Sequence, residues 1–312
     1  MKIIFFGSGD FGLPTLKKLL ESRHEIRAVV TQPDKKKGRG WNVHPSLFKS
    51  FMEHSAPGIP VLQPEKVSSK ASSDALKDIG ADVFVVIDYG QMLSAELLAI
   101  PSKYPVNLHP SILPKYRGAA PINRAVLAGE KVTGNTVIRM NERMDAGEII
   151  LSGKIPIDER DDAATLFEKL SKSGSELVLE ALHLIDLGKE NLVPQDDDAA
   201  TLARKLRKEE GEIDWAKPAE EVLRLIRGMR PWPGAFTYLD GKMVKITKAV
   251  PAEYIFEDLS AGAVVDPKRL IVRAGKGFIR IDELQVEGKR SMSASEFLKG
   301  HRVEDKVFGS AN

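Results

Sequence analysis

Cysteine is absent from this chain of 312 residues. That excludes a disulfide scaffold, a thiolate metal site and a cysteine nucleophile, and it suits a reducing compartment. Histidine is sparse, and His24, His44, His54, His109, His183 and His301 include no close pair on one helix face. A metal centre would use such spacing, so no metal is expected. No stretch approaches the ~18 consecutive apolar residues that a membrane-spanning helix requires. The opening MKIIFFGSGDFG has one lysine and an apolar run too short for a secretory signal core, with no alanine-type cleavage site behind it. A cytoplasmic protein with no membrane partner is the expectation. Internal repeats and low-complexity segments are missing too.

What is present describes a globular chain, 42% hydrophobic and 29% charged, long enough for two domains at ~100–200 residues each. A net charge of +2 argues neither for nor against a polyanionic partner. Its distribution says more. Lys35, Lys36, Lys37 and Arg39 fall together in PDKKKGRG, and Arg204, Lys205, Arg207 and Lys208 form a second cluster. Such clusters are either solvated faces or contacts to nucleic acid.

The first half alternates strand-like and helical runs. KIIFF (2–6) is continuously apolar, as a parallel strand covered on both faces must be. Further strands are predicted at 26–31, 83–88, 106–109 and 136–140. Helices are predicted at 10–21, 72–78 and 121–128, and Leu166, Leu170, Leu177, Leu184 and Leu187 mark a long amphipathic helix over 163–187. This alternation predicts a doubly wound, mostly parallel sheet, which binds ligands at the carboxyl ends of its strands. Residues 1–188 form this domain and 189–208 read as a polar linker. After a helix at 219–227, two prolines in RGMRPWPG forbid continuation. Short strands at 235–239, 244–249, 263–265, 270–274 and 278–284 then predict a small all-β barrel of the oligonucleotide-binding type within 209–312.

Gly7-Ser8-Gly9-Asp10-Phe11-Gly12 fits G-x-G-x-x-G between a strand and a helix, with Asp34 at roughly the distance used for a ribose. An NAD enzyme is one reading. Asp34 follows Gln32-Pro33, however, and leads into a lysine run. The alternative is a turn that needs small residues for close packing.

Residues 106–147 hold the most informative run. Asn107 and His109 alternate at a strand end and so share a face. Asp145 follows the strand at 136–140, and two adjacent carboxyl ends are expected to bring it to His109. Acyl transfer to an amine forms a tetrahedral oxyanion and requires donors aimed at it. Asn107 offers a neutral amide donor and His109 a charged one that can also pass a proton. Asp145 can support His109 and accept the amine's proton. The bland alternative is a buried His109–Asp145 pair beside a capping Asn107.

NLHPSILPKYRG, followed by Asp145-Ala146-Gly147, resembles the signature of the 10-formyltetrahydrofolate-dependent formyltransferases. The resemblance implies catalytic Asn107, His109 and Asp145, and folate contacts from Ser111, Ile112, Leu113 and Pro114. It also implies a pteridine-lining segment at Tyr89, Gly90, Gln91, Met92 and Leu93. Glycinamide ribonucleotide formyltransferases carry similar words but no second domain. Amino-sugar nucleotide formyltransferases have one. TQPDKKKGRG, RPWPGAFTYLDGKMVKI and LQVEGKRSMSASEFLKG resemble the methionyl-tRNA formyltransferase family over essentially the whole chain. That implies 10-formyltetrahydrofolate as formyl donor, initiator methionyl-tRNA as acceptor, tRNA contacts from Lys35, Lys36, Lys37 and Arg39, and no NAD. A monomer is expected. Asp88 stands where that family more often has a small residue, and GSGDFG replaces its usual Gly-Thr-Pro-type turn. Besides the amino-sugar enzymes, a non-catalytic RNA-binding protein is a rival, and it leaves the Asn–His–Asp set without a purpose.

Overall fold

The computed structural model describes residues 1–37, 42–255 and 259–309. Contacts divide the chain into two compact units, one of residues 1–118, 132–156 and 167–203. Its elements run β1 (Lys2–Gly7), α1 (Leu13–Leu20), β2 (Glu25–Val30), β3 (Lys35–Lys37), β4 (Asn42–His44), α2 (Leu47–Ser55), β5 (Val61–Leu62), α3 (Lys70–Ile79), β6 (Val83–Ile87), α4 (Ala95–Leu98) and β7 (Tyr104–His109). After α5 (Pro121–Ala128) come β8 (Val132–Arg139), β9 (Ile149–Pro156) and most of α6 (Ala163–Leu187). The basic stretch pairs as a short hairpin, Lys36 opposite Val43, and Arg39 lies outside the described residues.

Seven strands form one sheet in the order β5-β2-β1-β6-β7-β8-β9. The first five are parallel. β1 and β6 are buried almost throughout, which is why their sequences are continuously apolar rather than alternating. Strand order reverses at β1, and that switch point opens a crevice at the ends of β1 and β6. β8 runs antiparallel to β7, with His109 opposite Thr136 and Val106 opposite Arg139. The carboxyl ends of these two strands are therefore not neighbours, contrary to the sequence expectation. They lie about three residues apart along the ladder, roughly 10 Å at strand rise.

The other unit comprises residues 119–131, 157–166 and 204 onward. It contains α5, α7 (Ala219–Gly228), β10 (Ala235–Leu239), β11 (Lys242–Ala252), β12 (Val264–Asp266), β13 (Ile271–Arg273), β14 (Phe278–Val286), β15 (Met292–Ser293) and α8 (Ala294–Gly300). The strands form an antiparallel sheet, β10-β11-β14-β13-β12, with β15 on β14. Bridges from Tyr238 to Gly309 and from Ala263 to Val307 let the last described residues touch both edges. Trp215, Ile226, Ile246, Ile281, Phe297 and Phe308 fill the interior. The indole N–H of Trp215 is satisfied by Thr237 Oγ1 at 3.0 Å. On α7, Gly228 passes so close to α5 that a Cβ there would lie 2.7 Å from Leu127 Cγ.

The glycine turn is built for packing. A Cβ on Gly7 would meet the Phe5 and Phe48 rings at 2.7 and 2.9 Å, and one on Gly9 would meet Asp88 Oδ2 at 1.8 Å. The acid expected at a ribose is already engaged. Asp34 accepts from Gln63 Nε2 at 2.6 Å, from Lys49 Nζ at 2.7 Å and from the Ser46 amide at 3.0 Å. These bonds, Gln63's first, hold its carboxyl down at about 2. Because the folded value lies below the ordinary 3.8, the stabilisation is complete above that value and disappears as pH falls toward 2. Asp34→Asn is therefore expected to lower the urea midpoint at pH 6, with the gap from wild type shrinking steadily below pH 4. A gap that stays constant with pH would refute this.

Candidate active site

The site grows from the end of β7. Asn107 and His109 lie two residues apart on that strand and project to one face. The His109 ring is buried, and its Nε2 lies 2.9 Å from the Tyr116 carbonyl. A carbonyl can only accept, so Nε2 carries the hydrogen and Nδ1 is the nitrogen left to exchange protons. Tyr116 has a left-handed backbone, with φ at 62°. Nδ1 faces Asp145 Oδ2 at 3.6 Å. That is longer than a hydrogen bond. Asn107 Oδ1 is buried with no hydrogen-bond partner among the described residues. An unsatisfied buried acceptor costs about 1–3 kcal/mol, and the loss falls here where a ligand could repay it.

Asp145 reaches His109 from the loop 140–148 between β8 and β9. Its φ is 51°, and the Gly118 amide donates to its Oδ2 at 2.8 Å. The loop is pinched at its exit. A Cβ on Gly147 would lie 1.7 Å from the Arg139 carbonyl oxygen.

The folate-assigned loop is held from behind. Ser111 is buried and its hydroxyl donates to the Lys115 carbonyl at 2.7 Å. Thr136, opposite His109 on β8, donates to the Ser111 carbonyl at 2.7 Å and accepts from the Leu113 amide at 3.1 Å. Leu113 is buried, while Ile112 and Pro114 are half-buried. Nothing in the sequence marked Thr136 for this task.

Beyond β6, the pteridine-assigned residues divide. Tyr89 packs edge-on against Phe6, and burial pushes its hydroxyl up to about 12. Leu93 is in the core. The Gln91 side chain accepts from the Val67 amide at 2.9 Å and donates to the Glu65 carbonyl at 3.2 Å. Gly90 and Met92 are the members that face outward. Asp88 packs against the Gly9 turn and has a left-handed backbone, φ 48°. Solvent still reaches it, but the protein packed around it desolvates its carboxyl and pushes it above the usual carboxylate range, with Asp10 adding repulsion.

The basic residues Lys35, Lys36 and Lys37 belong to β3, which pairs with β4. Among those residues no cluster of His, Asp or Glu could hold a metal ion, and no helix is long and apolar enough to cross a membrane.

Gly147→Ala forces a main-chain collision that no side-chain rotation relieves. It is expected to lower stability by about 1–3 kcal/mol in urea unfolding. Wild-type stability in that variant would show that the pinch is dispensable.

The formyl transferase family profile matches residues 1–182, and that of the formyl transferase C-terminal domain matches residues 205–302. The methionyl-tRNA formyltransferase of Caldanaerobacter subterraneus subsp. tengcongensis is 43% identical over 308 residues, covering 98% of each chain. That of Geobacter metallireducens is 41% identical, again over 98% of each. Among solved structures, an N-formyltransferase from Helicobacter canadensis with folinic acid and dTDP-3-aminofucose aligns with a TM-score of 0.67 at 19% identity, covering 90% of this chain and 98% of that one. HypX from Aquifex aeolicus with tetrahydrofolic acid gives 0.63 at 20%, covering 96% and 48%. At such identities the structures speak for the fold alone. Identity sustained near 40% across both units, on top of matches to both domain profiles, says more: this chain is an enzyme of the methionyl-tRNA formyltransferase family.

Proposed function

We propose that the chain transfers the formyl group of 10-formyltetrahydrofolate to the α-amine of initiator methionyl-tRNA, giving N-formylmethionyl-tRNA and tetrahydrofolate. It would do so in the cytoplasm and as a monomer. The observation that carries the reading is His109, with Nε2 tied to a carbonyl and Nδ1 facing Asp145 across 3.6 Å, on the same strand face as Asn107.

The folate supplies a formyl carbon bonded to a nitrogen that can leave. The amine attacks that carbon, a new C–N bond forms, and the formyl oxygen takes up negative charge. Asn107 and protonated His109 stabilise that charge, each such donor contributing about 2.7–4 kcal/mol where measured in related chemistry. Asp145 accepts the proton lost by the amine and stabilises the charged ring of His109. Breakage of the bond to the folate nitrogen is completed by a proton delivered from His109 Nδ1, because Nε2 is committed to Tyr116. Ser111 to Pro114 and the Tyr89 to Leu93 segment are proposed to hold the folate, the latter mainly through Gly90, Met92 and its backbone.

Residues 1–188 would then be the catalytic domain, 189–208 the linker, and 209–312 a tRNA-binding barrel of the oligonucleotide-binding type. Lys35, Lys36, Lys37 and Arg39 are proposed to grip phosphates near the acceptor end, which makes binding salt-dependent.

Incubation with 10-formyltetrahydrofolate and charged initiator tRNA is expected to give N-formylmethionine. Product from an amino-sugar nucleotide but none from methionyl-tRNA would overturn the acceptor. Asn107→Ala, His109→Ala and Asp145→Ala should each lower kcat by about two orders of magnitude or more. Near-normal turnover in any one removes that residue from the mechanism. Reversing charge at Lys36 and Arg39 should weaken tRNA use and spare folate binding, as read by filter binding and folate titration. Unchanged formylation by this double variant would dismiss the basic stretch.

A further inference from the structure

Gln195 lies in the polar stretch after α6, and its side chain uses every hydrogen-bonding position that a primary amide has. Its Oε1 accepts from Arg117 Nε at 3.0 Å and Nη2 at 2.8 Å. Its Nε2 donates to the carbonyls of Asp145 at 2.8 Å and Gly147 at 2.7 Å. Arg117 is buried, and its remaining Nη1 pairs with Asp197 at 2.9 Å, which in turn holds Arg143 at 2.7 Å. The residue after Arg117 is Gly118, whose amide donates to the Asp145 carboxylate. The contacts close into a ring that runs from the Asp145 carbonyl through Gln195, Arg117 and Gly118 to the Asp145 carboxylate.

The stretch 193–203 is tied to its neighbours at both ends. Val193 and Ile149 exchange backbone hydrogen bonds at 2.8 and 2.9 Å, and the Ala203 amide donates to the Arg117 carbonyl at 2.7 Å. Asp145 adopts a left-handed backbone, a conformation that is strained for a non-glycine residue and persists only where neighbours over-determine it. Gly118 fixes the carboxylate end of this residue and Gln195 the main-chain end.

We propose that Gln195 is a positioning residue for the reaction, holding the Asp145 carboxylate against His109 Nδ1 through the Arg117–Gly118 ring. The proposal rests on Asp145 being catalytic. An amide is required at this position because one end must accept from a guanidinium while the other donates to two carbonyls. A carboxylate satisfies the first demand and opposes the second.

Two variants separate the demands. Gln195→Ala removes both ends, whereas Gln195→Glu keeps the Arg117 partner but cannot donate. Both are expected to lower kcat about ten- to a hundredfold, the scale of an ångström-sized misplacement. KM for formyl donor and for charged tRNA should change little, with the melting temperature of Gln195→Glu near that of wild type. Hydrogen exchange at the Gly118 amide, which reports the bond to Asp145 directly, should accelerate in both variants. Wild-type kcat in Gln195→Glu, or unchanged Gly118 exchange, overturns the proposal. Failure of the wild-type protein to formylate any acceptor would instead sink the functional reading, and the Gly118 exchange would still decide whether Gln195 braces Asp145.

Discussion

The antiparallel course of β8 is the constraint from which the site's construction follows. A parallel strand beside β7 would deliver its carboxyl end next to His109. β8 ends instead beside Val106, so the acid must travel back on a loop. A loop residue has few strand contacts to hold it, and Asp145 is left-handed as well. Everything that fixes it therefore comes from elsewhere: the Gly118 amide, the close approach at Gly147, and a segment from beyond α6. Strand direction, a property of topology, sets how many distant residues the chemistry needs.

Much of this was legible in the sequence where physics is local. The continuous apolar runs of β1 and β6 and the leucine spacing of α6 specify their elements, because burial on two faces or one stripe dictates residue type directly. The i, i+2 relation of Asn107 and His109 also needed only strand geometry. Elsewhere local signals misled. The sequence shows only the end of β8, since Gly134 looks like a turn residue; it is there because a Cβ would strike the Gly153 carbonyl at 2.0 Å. β9, exposed along one face at the sheet edge, carries too weak a pattern to stand out. Adjacent strand ends would put Asp145 beside His109; a loop brings it there instead.

Gln195 and Thr136 were invisible for a common cause. Each is a polar residue whose partners lie far away in sequence, Thr136 bonding residues 25 and 23 positions off and Gln195 residues 78 and 50 off. Composition describes 189–208 as a polar connector, and so it is by residue type. Its hydrogen bonds make residues 193–203 part of the wall around the site. The glycine turn teaches the converse. A pattern that matches a dinucleotide fingerprint is accounted for by Phe5, Phe48 and Asp88 crowding the turn, and its partner acid is spent on Lys49 and Gln63.

The proton-bearing nitrogen of His109 is chosen by the Tyr116 carbonyl, a main-chain oxygen. Side-chain replacement at position 116 leaves that oxygen in place, so a conventional scan would pass over the group that selects the tautomer. Drift at this position is filtered by tolerance for a left-handed backbone rather than by the chemistry of a phenol, which favours glycine and asparagine as replacements. The tautomer can thus survive replacement of the very side chain at the residue that enforces it.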